Sequence, residues 1–129
     1  MVEVTGAPIV PDKAIESVRR DSNGGVISYV GTVRASSNGK RVLHFGHHES
    51  WNEVARKELE RIAEEIQYRW GLSDVTVLHR TGMLKPGEVL LVVAVGAPHR
   101  EEAFEACRYA IDRYKEVSSP WIVEETTET

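Results

Sequence analysis

The chain has 129 residues, of which 41% are hydrophobic and 28% charged, and a formal net charge of -4 at pH 7. That is the size and balance of one globular domain with room for a hydrophobic core. The mild acidity argues against general nucleic-acid binding, where a basic face is expected, and no apolar run approaches the roughly 20 residues that span a bilayer.

Met1 to Val10 carries Glu3 and Pro8, without the apolar run and basic flank of a signal peptide. The single cysteine, Cys107, allows no intrachain disulfide. Together these predict a cytoplasmic protein. Val2 to Val10 alternates loosely, as an edge strand does. Pro11-Asp12 opens a short helix through Arg20, with Ile15 and Val18 on its apolar side. Asp21 to Gly25 is a turn cluster. Gly25 to Val33, rich in Val, Ile, Tyr and Thr, is a strand. Arg34 to Lys40 is a flexible loop tipped by basic residues, and Arg41 to Glu49 is extended.

The clearest helix runs from Trp51 to Trp70, with apolar residues at Trp51, Ala55, Leu59, Ile62, Ile66 and Trp70. Gly71 suits its end. Val75 to Arg80 alternates as a strand. Lys85-Pro86-Gly87-Glu88 has the Pro-Gly order of a type II turn. The unbroken apolar run Val89 to Val95 predicts a strand buried on both faces. Glu101 and Glu102 open a last helix, where acids suit the macrodipole. It runs to about Lys115 or Glu116, and Ser118-Ser119-Pro120 breaks it. Glu124 to Thr129 read as a frayed tail within a flexible segment of about 122–129. The order strand, helix, two strands, helix, two strands, helix predicts one α+β domain over residues 1–129. Its helices pack on a mostly antiparallel sheet.

Candidate chemistry begins at Pro98-His99-Arg100. A strand end feeding a helix N-terminus presents free backbone N–H groups that suit an anion. Arg100 adds a planar fork matched to phosphate, and His99 can donate a hydrogen bond. The competing reading is a helix cap and a solvated charge. Lys115 shares a helix face with Ile111, Phe104 and Cys107 or Arg108. Partial desolvation there favours a nucleophilic or basic amine; the competing reading is a lysine that snorkels at the helix C-terminus. Arg34 ends a strand and opens a loop that Lys40 and Arg41 close, a place where ligand groups often sit. His44, His47, His48 and Glu49 form a cluster, but a strand places only His44 and His48 on one face, short of the ligands zinc needs. No metal site is expected. Cys107 reads as a buried small hydrophobe.

Taken together, these residues resemble one family. Gly25-Val26-Ile27-Ser28-Tyr29-Val30-Gly31-Thr32-Val33-Arg34 is similar to the first signature of the molybdopterin synthase large-subunit (MoaE) family. His79-Arg80-Thr81-Gly82, Pro86-Gly87-Glu88 and the stretch from Val92 to Lys115 resemble its second half. The resemblance spans roughly residues 10 to 121. It implies an α/β-hammerhead fold and a sulfurtransferase that converts cyclic pyranopterin monophosphate (precursor Z) to molybdopterin, in molybdenum cofactor biosynthesis. The sulfur comes from the C-terminal glycine thiocarboxylate of a ubiquitin-like small subunit ending in Gly-Gly. The implied assembly is a homodimer at the centre of a heterotetramer, without a cofactor. Matched position by position, Thr32, Val33, Arg34, His99 and Arg100 are expected to bind substrate, and Lys115 both to bind it and to be catalytic. All are expected in one pocket.

One departure stands out. Where the family carries a second lysine after its tail tryptophan, Trp121 is followed here by Ile122, Val123 and Glu124. Two activities therefore stay open: an active synthase in which Lys40 or Arg41 replaces that lysine, and a member that binds the small subunit and a pterin phosphate with little or no turnover.

Overall fold

In the computed structural model, which describes residues 1–127 apart from the His44 side chain, the elements follow in a mixed order. They are β1 (Val2–Thr5), α1 (Pro11–Val18), β2 (Gly25–Thr32), β3 (Ser36–Ser37), β4 (Lys40–His47), a 3-10 turn (Glu49–Trp51), α2 (Asn52–Trp70), β5 (Val75–Arg80), β6 (Gly82–Leu84), β7 (Val89–Ala97), α3 (Arg100–Ser118) and β8 (Ile122–Thr126). The α+β class holds, with antiparallel pairing dominant: only β1 against β5 is parallel.

β7 organises the first sheet, ordered β1-β5-β7-β2. Side chains alternate faces along a strand, and both faces of β7 are covered. Leu91, Val93, Val95 and Ala97 pack with α2 and α3. Val92 and Ala94 pack with Ile9, Ala14 and Val18 beneath α1. The unbroken apolar run of the sequence is thus two half-runs serving two cores. On α3 the buried face is Ala103, Ala106, Cys107, Ala110, Tyr114 and Ser118. Its small residues let the helix lie close to the sheet. The Tyr109 hydroxyl and the Arg113 guanidinium both donate to Glu65 of α2, at 2.8 and 3.0 Å, and lock the two helices side by side.

The second sheet is small. β4 lies between β6 and β8, with β3 as its hairpin partner. Gly46 allows this crossing, because a Cβ there would collide with the Gly82 carbonyl oxygen. Val33, Val42, Leu84 and Leu90 form a third cluster between the sheets.

Several boundaries differ from expectation. The first strand ends at Thr5, and α1 ends at Val18 with Arg19 extended behind it. The expected flexible loop after Arg34 is a hairpin. Asn38 and Gly39 both take positive φ, 51° and 77°, the backbone that a tight Asn-Gly turn between strands requires. α3 continues through Ser118, one turn past its expected end. The expected frayed tail is a strand as far as Thr126, because β4 offers it an open edge to pair with. The last two positions of that tail lie outside the described residues. Among the described residues no helix is long and apolar enough to cross a membrane.

Candidate active site

A cleft of about 460 Å³ opens where the two sheets and the C-terminal half of α3 meet, a size within the ordinary range for small-molecule sites. Its floor is apolar: Val33, Val42, Phe45, Leu90 and Leu91. A register shift helps build it. Gly31 pairs with Leu91 but Thr32 pairs with Val89, so Leu90 is an extra residue on β7. Such a bulge re-aims side chains, and here both Leu90 and Leu91 reach the cleft.

Arg34 enters the cleft from the end of β2, and Lys115 from the flank of α3. Neither has an ion-pair partner among the described residues, whereas Arg20, Arg56, Arg80 and Arg113 all do. Arg34 is held through its neighbour. Val33 donates its N–H to the Glu88 carbonyl and accepts from Gly87, at 3.0 and 2.8 Å. The Lys85–Glu88 turn closes in type II fashion, with Gly87 at φ 91°. The Glu88 carboxylate accepts from the Lys85 N–H at 2.7 Å and from Arg80 at 3.1 Å; these bonds hold it below the usual carboxylate range, the Lys85 N–H most of all.

Thr32, Val33, Arg34 and Lys115 therefore share one cleft, with different parts. Thr32 is exposed at its edge and Val33 is buried in its floor. Lys115 does not sit on the apolar face of α3, as its spacing predicts. Tyr114 continues that face, one position earlier, and Lys115 is exposed beside it. Its ammonium loses water only when something covers the cleft. His99 and Arg100 lie elsewhere. Both are exposed at the N-terminus of α3, His99 as the N-cap residue without a side-chain cap bond. Arg100 is fifteen residues from Lys115, about 22 Å of helix axis. Within one chain the expected shared pocket does not form.

Comparison with known proteins follows the same lines. The MoaE protein family profile matches residues 4–117. The chain belongs to the MoaE family. A relative from Halalkalibacterium halodurans named molybdopterin synthase catalytic subunit is 40% identical over 88% of this chain and 72% of its own length. One of the same name from Bacillus subtilis is 36% identical over 92% of this chain and 75% of its own. The crystal structure of molybdopterin synthase from Staphylococcus aureus superposes with a TM-score of 0.84 at 27% identity, covering 97% of this chain and 89% of that one.

Further groups of this MoaE-family chain complete the cleft wall. Ile122 and Glu124 of β8 line it, together with Tyr29, Ser36, Tyr114, Ser118 and Ser119. The sequence reading marked Ile122 and Glu124 only as a departure from the family pattern and passed over the other five. Tyr114 and Ser118 were legible in principle, as the fourth and eighth positions after Ala110 on the face that Ala103 begins. Ile122 and Glu124 stood out by resemblance alone; the β4–β8 pairing that brings them to the cleft could not be read from a tail expected to fray. The histidine cluster also resolves. His48 accepts from the Ser50 N–H at 3.0 Å and caps the 3-10 turn. His47 turns inward to meet His79. Cys107 is buried, and burial pushes its thiol up to about 11, the state of a packing residue rather than a reactive thiolate.

Proposed function

We propose that this chain is the sulfur-transferring catalytic subunit of a molybdopterin synthase, converting cyclic pyranopterin monophosphate to molybdopterin in the cytoplasm. The observation that carries the proposal is the convergence of Arg34 and Lys115, two unpaired cations, on one apolar-floored cleft in a MoaE-family chain. An apolar floor with cations at its edge suits a flat heterocycle that carries an anion. Arg34 offers a planar fork to phosphate oxygens. Lys115 stabilises charge as sulfur leaves the thiocarboxylate, or moves a proton there.

The sulfur donor in this proposal is a ubiquitin-like small subunit whose Gly-Gly end is a thiocarboxylate. Side-chain-free glycines can thread a narrow cleft and lie beside Lys115. Each transfer leaves an ordinary carboxylate on that subunit, and two complete the dithiolene. His99 and Arg100 are too far along α3 to touch the same ligand in one copy. In a homodimer they can serve the cleft of the second copy, which makes the central dimer part of the site.

Ile122 and Glu124 in the cleft wall favour a second reading, a subunit that holds the small subunit and a pterin phosphate without turnover. Mass spectrometry of the small subunit separates the two. Under the synthase proposal its thiocarboxylate becomes a carboxylate when the pterin phosphate is added, and Lys115→Ala stops the conversion. A thiocarboxylate that persists beside the intact chain supports the binding-only reading.

A further inference from the structure

Tyr114 stands out among the cleft residues. It is 8% exposed, and its ring is fixed edge-on against His79 and Trp121, with centroids 5.4 and 6.4 Å away. Its hydroxyl oxygen is buried and has no hydrogen-bond partner. Ser118, one turn on, and Tyr29 of β2 are the polar side chains close enough to act on it. Both neighbours line the same cleft. Burying an unsatisfied hydroxyl is costly, and native structures rarely keep one without a reason.

We propose that Tyr114 is a specificity-determining residue whose hydroxyl bonds the polar edge of a planar heterocyclic substrate at the base of the cleft. The division of the cleft supports this assignment. Its cations, Arg34 and Lys115, stand at exposed positions and take the anionic parts. The base, between Val42, Leu90 and Leu91, has no charged group to meet the ring's N–H and carbonyl edge. A phenol supplies both a donor and an acceptor there. Burial pushes the Tyr114 hydroxyl well above its ordinary range, so it stays neutral and keeps its proton. In this proposal Ser118, which shares the cleft wall with Tyr114, moves aside to admit the ligand.

The proposal rests on the substrate class proposed above, and the test separates the two. Tyr114→Phe keeps the ring and its contacts and removes only the orphaned oxygen. The expected result is a kcat/KM for cyclic pyranopterin monophosphate about tenfold lower, one hydrogen bond at about 1.4 kcal/mol per tenfold. The pterin Kd should rise in parallel. The Tm should stay or rise, because an unsatisfied group is gone, and the Kd for the carboxylate form of the small subunit should not change. Unchanged pterin binding with a raised Tm would overturn the proposal, and so would a lowered Tm with full activity, which would make the hydroxyl structural. Weakened small-subunit binding alone would overturn it too, by giving the hydroxyl to the partner's tail. A wild-type protein that binds no pterin phosphate would instead sink the proposed function itself.

Discussion

His79 Nε2 lies 2.9 Å from His47 Nδ1, and both rings are fully buried where β5 of one sheet meets β4 of the other. At that distance one imidazole donates and the other accepts, which excludes a doubly charged pair, and burial holds both rings toward the neutral form. Trp121 stands edge-on to His47, with centroids 6.0 Å apart, and Tyr114 lies across His79. The pair is therefore the clasp behind the cleft. It joins the two sheets and supports the tryptophan from which β8 departs.

The clasp makes stability depend on pH. Burial, with the His47 charge second, lowers His79 from 6.5 to about 3. Burial also lowers His47, with nearby Asn52 acting the other way. The unfolded chain takes up these protons near pH 6.5, while the folded chain resists to about pH 3 at His79 and to some value below 6.5 at His47. Stability is thus full above about pH 6.5 and falls as pH drops toward 3, by up to about 1.4 kcal/mol per pH unit for each proton. Urea unfolding at pH 7, 6 and 5 should show this decline. The carboxylates held low, Glu65 and Glu88, start from 4.5, so their contribution is lost below the pH 7 to 5 range of this test. His47→Gln with His79→Gln should flatten the curve between pH 6.5 and 5; an unchanged slope would assign the acid sensitivity to other groups.

Trp121 is 2% exposed and packs on both histidines. Trp121→Ala should cost about 3–5 kcal/mol in chemical denaturation, the usual range for emptying such a site. Hydrogen exchange should speed up first in the β8 amides, since among the described residues β8 pairs with β4 alone. Uniform loss of protection would mean that the tryptophan supports the whole core instead.

Much of this architecture was legible in the sequence. Helical spacing marked α2, and the run at Val89 marked a doubly buried strand, because both patterns are local and periodic. β6 and β8 were not legible. Each is short and patterned weakly, and each exists because β4 presents an edge that only the folded molecule assembles. The site divides the same way. Arg34 and Lys115 were assigned by the family resemblance rather than by spacing, and both line one cleft. His99 and Arg100 carry the same kind of motif but sit at the far end of α3. The buried partner of His47 could not be read, because His79 lies in another sheet.

Lys115 is exposed on the flank of α3. Lys115→Ala should therefore change stability by no more than about 0.5 kcal/mol. Turnover should fall by at least about a hundredfold, the usual loss for a group that stabilises developing charge. Circular dichroism melts and sulfur-transfer rates together check this, and a variant that is both folded and active would remove Lys115 from its role.

The distance between Arg100 and Lys115 allows a complementation test of the dimer. Arg100→Ala and Lys115→Ala chains, each inactive alone, should regain activity when mixed, since a mixed dimer holds one cleft with both residues intact. In the ideal case half the dimers are mixed, each with one of its two clefts, so recovery should approach about a quarter of wild type. No recovery after subunit exchange would place both residues in service of the same chain's cleft.

Glu124 places a carboxylate in the cleft proposed to take an anion, and Ile122 leaves a side chain there that cannot neutralise one. Glu124→Gln and Ile122→Lys should each lower KM for the pterin phosphate about threefold, consistent with one charge several ångströms away in a solvated site. Steady-state kinetics at low and high salt test this, and the gain should shrink with salt. A KM indifferent to both changes would mean the phosphate binds away from β8.

The most direct measurement combines this chain with thiocarboxylated small subunit and cyclic pyranopterin monophosphate and assays the dithiolene product. The expected result is product that requires all three components, with two small-subunit thiocarboxylates consumed per pterin. No dithiolene above background, from a folded chain that binds both partners, would contradict the synthase assignment.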